Sequence, residues 1–375
     1  MDDERAMRRA LELAERGRLT ASPNPMVGCV IVADGEVVGE GWHHVAGGPH
    51  AEVVALREAG ERARGATVYT TLEPCSHTGR TAPCVDALLR AAVRRVVIAA
   101  TDPNPVAAGG ADALRRAGIA VDIGLLRDEA TAQNTVFLHG VRTRRPFVWC
   151  KGAVSLDGRV TAADGSSRWL TSAPARRHAH GLRGQVDAML VGSGTVLADD
   201  PQLTVRLDGW TGPPPLRVVL DGRARCPATA RVFDREAPSL ALVAPDARDD
   251  ALRAADVTVA AVKTGAGGQL DPIAVLEELW NRGVRSVLVE GGPTIMSAFV
   301  DAGVFDRLVI YVAPLLLGDG GLPLLRGGPA TLGDAERFVL DQIDHVGDDA
   351  VLQLTRAGAA GAVGPQGEMD VHRNR

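Results

Sequence analysis

Pro49-His50-Ala51-Glu52, followed by Thr71-Leu72-Glu73-Pro74-Cys75-Ser76-His77-Thr78-Gly79-Arg80-Thr81-Ala82-Pro83-Cys84, is the stretch from which the rest of the chain is read. One His and two Cys offer zinc an imidazole nitrogen and two thiolates. That is three ligands, one short of a closed structural site, so a fourth position stays open for water. A neutral imidazole and two thiolates also balance the charge of Zn²⁺. Glu52, two residues after His50, is the natural carrier for the proton of that water. A lone His or Cys is usually packing, and free Cys is among the most buried residue types. The ordered H-A-E, P-C, C pattern is far harder to reach by chance. His43 and His44 are excluded as further ligands, because a fourth protein ligand would close the site.

Local patterning puts the ligands at helix starts. Residues 50–64 read as a helix with Val53, Val54 and Leu56 inward and with His50 and Glu52 in its first turn. Residues 84–92 read as a second helix, opening on Cys84. Helix N-termini carry partial positive charge and free N–H groups, which favour the thiolate that zinc needs. Around them, 3–16 and 111–117 read as helices, and 27–33, 36–41, 66–72 and 95–100 as strands. Asp34-Gly35 is a hairpin signal and Ser22-Pro23-Asn24-Pro25 a turn. Strands alternating with helices predict a mixed sheet with flanking helices.

Composition bounds the rest. A length of 375 residues suggests two domains. Apolar content of 46% and charged content of 23% are those of a globular chain. A net charge of −5 gives no basic field for long nucleic acid, and aromatics at 3% supply no stacking platform for single strands. No apolar run reaches membrane-spanning length, and the acidic Met1-Asp2-Asp3-Glu4 is unlike a signal peptide. Five Cys, two of them in the metal box, favour a reducing, cytoplasmic compartment over a disulfide framework.

Zinc deaminases of bases use a His and two Cys as ligands with a Glu as acid/base. Their generic P-C-x-x-C is replaced here by Cys75 and Cys84 with eight residues between them. With that spacing, 71–84 and 49–52 closely resemble the deaminase half of the bifunctional riboflavin-biosynthesis deaminase–reductases. The resemblance implies a cytidine-deaminase-like fold and a role for Asn24 in orienting a pyrimidine. It also brings forward His77 and Arg80, which either hold substrate or its phosphate or are solvated loop side chains. Asp102-Pro103-Asn104-Pro105 belongs to the same likeness.

The charged run 142–146 ends in Pro and marks a linker, so domains of 1–145 and 146–357 are expected, with a disordered Gly- and Ala-rich tail over 358–375. After it, 147–155, 187–192, 216–221, 239–244, 285–290 and 307–314 read as strands. Ser172 caps a helix with Pro174 in its first turn, and 272–281 is another helix. Glu290-Gly291-Gly292-Pro293-Thr294 joins a strand to a helix, where backbone can approach a phosphate, although alone a Gly pair is only a tight turn. There is no G-x-G-x-x-G, so a Rossmann fold lacks its fingerprint.

Together these segments resemble the reductase half of the same family, an α/β domain of dihydrofolate-reductase-like fold that binds NADPH and a phosphoribosyl pyrimidine. The resemblance spans roughly residues 1 to 357. By matched position it implies NADPH contacts at Ala153, Trp169, Thr195, Asp199, Gly292, Pro293, Thr294, Ile295, Met296, Ser297 and Ala298. It implies substrate contacts at Ser167, Arg183, Leu203, Arg206 and Glu290, and polarising or proton-handling roles for Lys151 and Asp199. Trp169 as core packing and Asp199 as a turn cap are the plainer alternatives. The expected partner is a small molecule, with no nucleic acid or membrane, and the family implies a homodimer or tetramer. A tRNA or nucleoside deaminase with an inert appendage would leave the Cys spacing and the second half unexplained. A non-catalytic zinc scaffold would leave Glu52 and the open ligand position unexplained.

Overall fold

The computed structural model describes residues 1–77, 82–265 and 267–356. Arg80 and the expected tail over 358–375 lie outside these residues. Two sheets organise the chain. The first contains β1 (Gly28–Ala33), β2 (Glu36–Trp42), β3 (Thr67–Leu72), β4 (Arg95–Ala100) and β5 (Ala120–Ile123), in the order β2-β1-β3-β4-β5. β1 runs antiparallel to both neighbours, and β3, β4 and β5 are parallel. Asp34 and Gly35 both take positive φ, 51° and 82°, which the tight β1–β2 turn requires.

This sheet is covered on both faces, so its central strands are buried almost throughout instead of alternating with exposed residues. Ile31, Val68, Val96 and Ile98 face a core closed by the helices Ala51–Ala59, Cys84–Arg90 and Gly110–Arg116. Val30, Tyr69, Val97 and Ala99 face a second core under the Asp3–Glu15 helix. The Ala51–Ala59 helix corrects the expected inner face. Ala51, Glu52, Ala55 and Ala59 are buried, while Val53, Val54 and Leu56 are only partly so. The cause is close approach: a Cβ on Gly39 or Gly41 of β2 would come within 2.3 Å of Ala55 or Ala51 carbonyl oxygen. Only small residues fit that contact.

The second sheet is formed by β6 (Phe147–Ser155), β7 (Ala188–Gly192), β8 (Leu216–Leu220), β9 (Ser239–Val243), β10 (Val259–Ala261), β11 (Ser286–Val289), β12 (Arg307–Ala313), β13 (Phe338–Val346) and β14 (Asp349–Arg356). Their order is β10-β9-β8-β7-β11-β6-β12-β14-β13. From β10 to β12 the neighbours are parallel; β14 and β13 close the sheet as an antiparallel hairpin. Alternation along each strand again serves two cores. Val148, Leu190, Val218 and Val287 pack with Leu276, Met296 and Phe299 of the helices Pro272–Asn281 and Pro293–Asp301. Trp149, Val191, Val219 and Leu288 pack with Ala175 and Leu182 of the helix Ala173–Arg183. Ser172 caps that helix, its Oγ accepting from Ala175 N at 3.4 Å. Among the described residues no helix is long and apolar enough to cross a membrane.

Candidate functional site: a metal centre and a second-domain cavity

His50 is the N-cap of the Ala51–Ala59 helix, one residue earlier than its first turn, and Glu52 follows inside that turn. Cys84 opens the Cys84–Arg90 helix, and Cys75 lies just beyond β3. The ligand atoms of His50, Cys75 and Cys84 all lie within 4.8 Å of one another. His50 Nδ1 is 3.1 Å from Cys84 Sγ and 3.5 Å from Cys75 Sγ. Cys84 backbone N–H donates to Cys75 Sγ at 3.4 Å, as the helix-start argument anticipates. The hydrogen bond from the Cys84 thiol, with His50 beside it, holds the Cys75 thiol well below its usual range, and Cys84 is correspondingly held up. Two soft sulfurs and one imidazole nitrogen converging on one point are a donor set that fits zinc.

Glu52 is fully enclosed, with Oε2 3.4 Å from Cys84 Sγ. Burial raises its carboxyl above the ordinary range. The centre opens into a cavity of about 400 Å³ lined by Asn24, His43, His50, Glu52, Glu73, Cys75, His77, Asp102 and Asn104, among others. Asn24 Nδ2 lies 3.0 Å from His43 Nε2, and His43 Nδ1 lies 3.1 Å from Pro49 O. A carbonyl only accepts, so Nδ1 carries the His43 proton and Nε2 accepts from the Asn24 amide. The Asn24 carbonyl oxygen is thereby left for another donor.

Glu73 was not singled out from the sequence, yet it organises the cavity floor. Its Oε1 accepts from Gly109 N at 3.1 Å and Ala111 N at 3.0 Å, and its Oε2 from Asp102 N at 3.2 Å. Gly110 is required there: a Cβ would sit 1.8 Å from Pro74 O. The signal was its place in the quoted run, directly before Pro74-Cys75.

In the second half, a cavity of about 900 Å³ runs along the C-terminal ends of the parallel strands. It is lined by Ser167, Thr195, Asp199, Glu290, Gly292, Pro293, Thr294, Ile295 and Ala298, all named from the sequence. A Cβ on Gly292 would meet nothing within 4 Å, so the turn before the Pro293–Asp301 helix is an open cradle suited to a dinucleotide's phosphates. Met296 and Ser297 turn away from it. Met296 is in the core, and Ser297 Oγ accepts from Arg326 N at 2.7 Å. Leu203 is also a core side chain, and Ala153 packs against the same core.

Trp169 is 69% exposed beneath the Arg176 guanidinium, which rules out core packing. Asp199 pairs with Arg168 at 2.9 Å, while its neighbour Asp200 accepts from Arg231 N at 2.8 Å. Arg183 grips Glu290 with both Nε and a terminal nitrogen at 2.8 Å. Burial alone would raise Glu290, but Arg183 and Lys151 hold it down at about 2. Burial lowers the Lys151 amine, which lies 5.3 Å from the Tyr311 ring centre. Arg206 lies 3.3 Å from His180 Nε2, next to Arg183. The cavity wall also includes Arg223 and Arg225, which no motif had flagged.

Comparison with known proteins covers both halves. Residues 1–100 match the model of the cytidine and deoxycytidylate deaminase zinc-binding region, and residues 146–352 that of the RibD C-terminal domain. The riboflavin biosynthesis protein RibD of Escherichia coli is 46% identical, over 95% of this chain and all of its own length. Acinetobacter baumannii RibD superposes with a TM-score of 0.85 at 40% identity, covering 94% of this chain and 98% of that one. A Thermotoga maritima diaminohydroxyphosphoribosylaminopyrimidine deaminase/5-amino-6-(5-phosphoribosylamino)uracil reductase gives 0.84 at 35% identity, with the same coverage.

Proposed function

Because this chain belongs to the RibD family, and so is a bifunctional zinc-dependent deaminase and NADPH-dependent reductase of riboflavin biosynthesis, we propose how its own side chains divide the two reactions. The first is hydrolysis of the 2-amino group of 2,5-diamino-6-(5-phosphoribosylamino)pyrimidin-4-one. We assign it to residues 1–145. His50, Cys75 and Cys84 hold the zinc, which when bound supplies the Lewis acidity that makes a water nucleophilic near neutral pH. Glu52 takes one proton of the attacking water and gives it to the ring nitrogen, then takes the second from the hydroxyl so formed and gives it to the amino group, which departs as ammonia. Asn24, its amide fixed by His43, accepts from a pyrimidine N–H through its free carbonyl oxygen. His77 and Arg80 hold the remainder of the substrate.

The second reaction, assigned to residues 146–357, reduces the ribosyl group of the resulting uracil to ribityl. NADPH supplies the hydride. The open-chain carbonyl carbon accepts it, and the carbonyl oxygen gains a proton. Lys151 and Asp199 are the polarising and proton-handling groups. Thr195, Asp199 and Gly292 to Ile295 carry the cofactor, with Ala153, Trp169 and Ala298 around them. Ser167, Leu203, Arg206 and the Arg183–Glu290 pair present the substrate end. The hydride end of the cofactor therefore lies toward Lys151 and Glu290.

The observation that carries this reading is the convergence of three zinc donors on one point beside an enclosed Glu52, in a chain that also holds the NADPH-type cavity. The test is to supply the diamino phosphoribosyl pyrimidine, cytidine and tRNA separately to the purified protein. Ammonia should be released from the first alone, and NADPH oxidation should follow. Ammonia from tRNA or cytidine, with no NADPH oxidation, would contradict it.

The reading includes a cytoplasmic homo-oligomer, dimer or tetramer, joined through the reductase half. The edge strand β13 leaves Leu340 and Ile343 exposed for a second copy, and all five cysteines are free and buried, as suits a reducing compartment. Sedimentation as a monomer at micromolar concentration would remove the oligomer.

A further inference from the structure

The loop that carries Asn24 is held from outside the zinc-binding region. It leads into β1, whose ladder begins at Gly28. Met26 lies before that ladder, so its backbone groups need another partner. Asn134, only 3% exposed, supplies it. Its Oδ1 accepts from Met26 N at 2.8 Å, and its Nδ2 donates to Met26 O at 2.8 Å. Met26 N only donates and Met26 O only accepts, so the amide has one orientation. The two bonds are those that a residue of an antiparallel strand would exchange.

Asn134 gives up its usual role to do this. It sits between the helices Arg127–Gln133 and Thr135–Thr143, at the N-cap of the second. An Asn there ordinarily bonds a free N–H of the first turn. Here the side chain makes no capping bond and turns to Met26 instead. The same helix then places Phe137 on the wall of the zinc cavity. The match to the deaminase zinc-binding region ends at residue 100, so neither residue belongs to it.

The clamp reaches Asn24 through a stiff link. Pro25 fixes its own φ and restricts the residue before it, which is Asn24. With both backbone groups of Met26 held, little freedom remains for Asn24. From the other side, Asn24 Nδ2 meets His43 Nε2 at 3.0 Å, and His43 N donates to Val27 O at 2.9 Å. A side chain that must present one carbonyl oxygen to a pyrimidine needs such fixing, because a misaligned hydrogen bond weakens steeply.

We infer that Asn134 is a positioning residue of the deaminase: by clamping Met26 it sets the place of Asn24, so the helices leading to the linker complete the pyrimidine site. The inference rests on the pyrimidine-orienting reading of Asn24. It is tested by deamination kinetics of the full-length zinc enzyme, as wild type, Asn134→Ala, Asn24→Ala and the double variant. Asn134→Ser is added, since it keeps a small polar group at the helix start but is too short to reach both Met26 groups. Two buried hydrogen bonds are lost whichever role Asn134 has, so rates are read well below the melting transition. Asn134→Ala and Asn134→Ser should each raise KM for the diamino substrate about tenfold, the worth of one hydrogen bond, with kcat within about threefold. Zinc content and reduction of supplied 5-amino-6-(5-phosphoribosylamino)uracil should stay at wild-type levels. The double variant should have the KM of Asn24→Ala alone, because the two residues act as one unit. Additive effects on KM would mean that Asn134 acts elsewhere, which overturns the inference. Unchanged KM in both Asn134 variants, beside a raised KM in Asn24→Ala, would overturn it as well. Loss of zinc and of both activities in both Asn134 variants would make Asn134 structural and overturn it too. A wild-type KM in Asn24→Ala would instead refute the reading of Asn24, and the inference with it.

Discussion

Arg183→Ala tests how the reductase half is held together at its substrate end. Arg183 and Glu290 are nearly enclosed, with side chains 14% and 11% exposed, and the guanidinium commits two nitrogens to the carboxylate at 2.8 Å each. A third contact, to Thr204 O at 3.2 Å, leaves little of the fork for a substrate phosphate. We therefore expect the substitution to act first on the Glu290 carboxylate. Burial would raise that group, yet Arg183 and Lys151 hold it at about 2, against an ordinary value of 4.5. A difference of that size corresponds to about 3 kcal/mol, in line with the cost of removing one partner of a buried pair.

The pH dependence follows in sign. A depressed folded-state value stabilises above the unfolded value near 4.5, and that stabilisation is lost as pH falls toward about 2. In the variant, burial without Arg183 raises Glu290, so acidification protonates it and relieves the penalty. Denaturant unfolding followed by tryptophan fluorescence reports mainly the second half, through Trp149, Trp169, Trp210 and Trp280. The wild type should exceed the variant by about 3 kcal/mol at pH 7, and by clearly less at pH 4. A gap below about 1 kcal/mol, or one that does not change with pH, would refute the reasoning.

Three further outcomes are expected. Metal analysis of Cys75→Ser should show a sharp fall from near-stoichiometric zinc, and unchanged zinc would remove Cys75 from the ligand set. Arg206→Ala should raise KM for the pyrimidine about tenfold, since one charge-assisted bond is lost, and leave KM for NADPH in place; the reverse pattern would mean the two sites are exchanged. Asp199→Ala should impair NADPH oxidation and spare ammonia release. Among the described residues its only ion pair is with the exposed Arg168, so stability should change by less than about 1 kcal/mol, and a larger loss of stability that accounts for the lost reduction would make Asp199 structural.

The metal centre was legible because its chemistry is local: few residue types bind zinc, and His50, Glu52 and Cys84 sit at helix starts that can be read from patterning, with Cys75 just past a buried strand. The central strands were legible because unbroken Val- and Ile-rich runs of such length are buried strands. What failed depended on neighbours. The alanine face of the Ala51–Ala59 helix is set by glycines on β2, which no pattern within the helix reveals. The helices Arg127–Gln133 and Thr135–Thr143 are short, with small or mixed faces, and the exposed β13–β14 hairpin lacks clear alternation. The family likeness carried Met296 and Ser297 as part of a continuous run, but helical rotation points them away from the cavity. Arg223 and Arg225 form no motif; only the folded strand order brings them to the cavity wall.

The central claim is that one chain carries two independent sites, each with its own packed sheet and cores. Glu52→Gln tests it most directly, because the amide keeps the side-chain size and cannot take a proton. Ammonia release from the diamino substrate and NADPH oxidation with supplied 5-amino-6-(5-phosphoribosylamino)uracil should be measured on the same preparation, with a thermal melt as control. Deamination should fall at least about a hundredfold, the lower worth of a general base, while reduction stays at the wild-type rate. Loss of both activities in a variant that melts normally would contradict the two-site account.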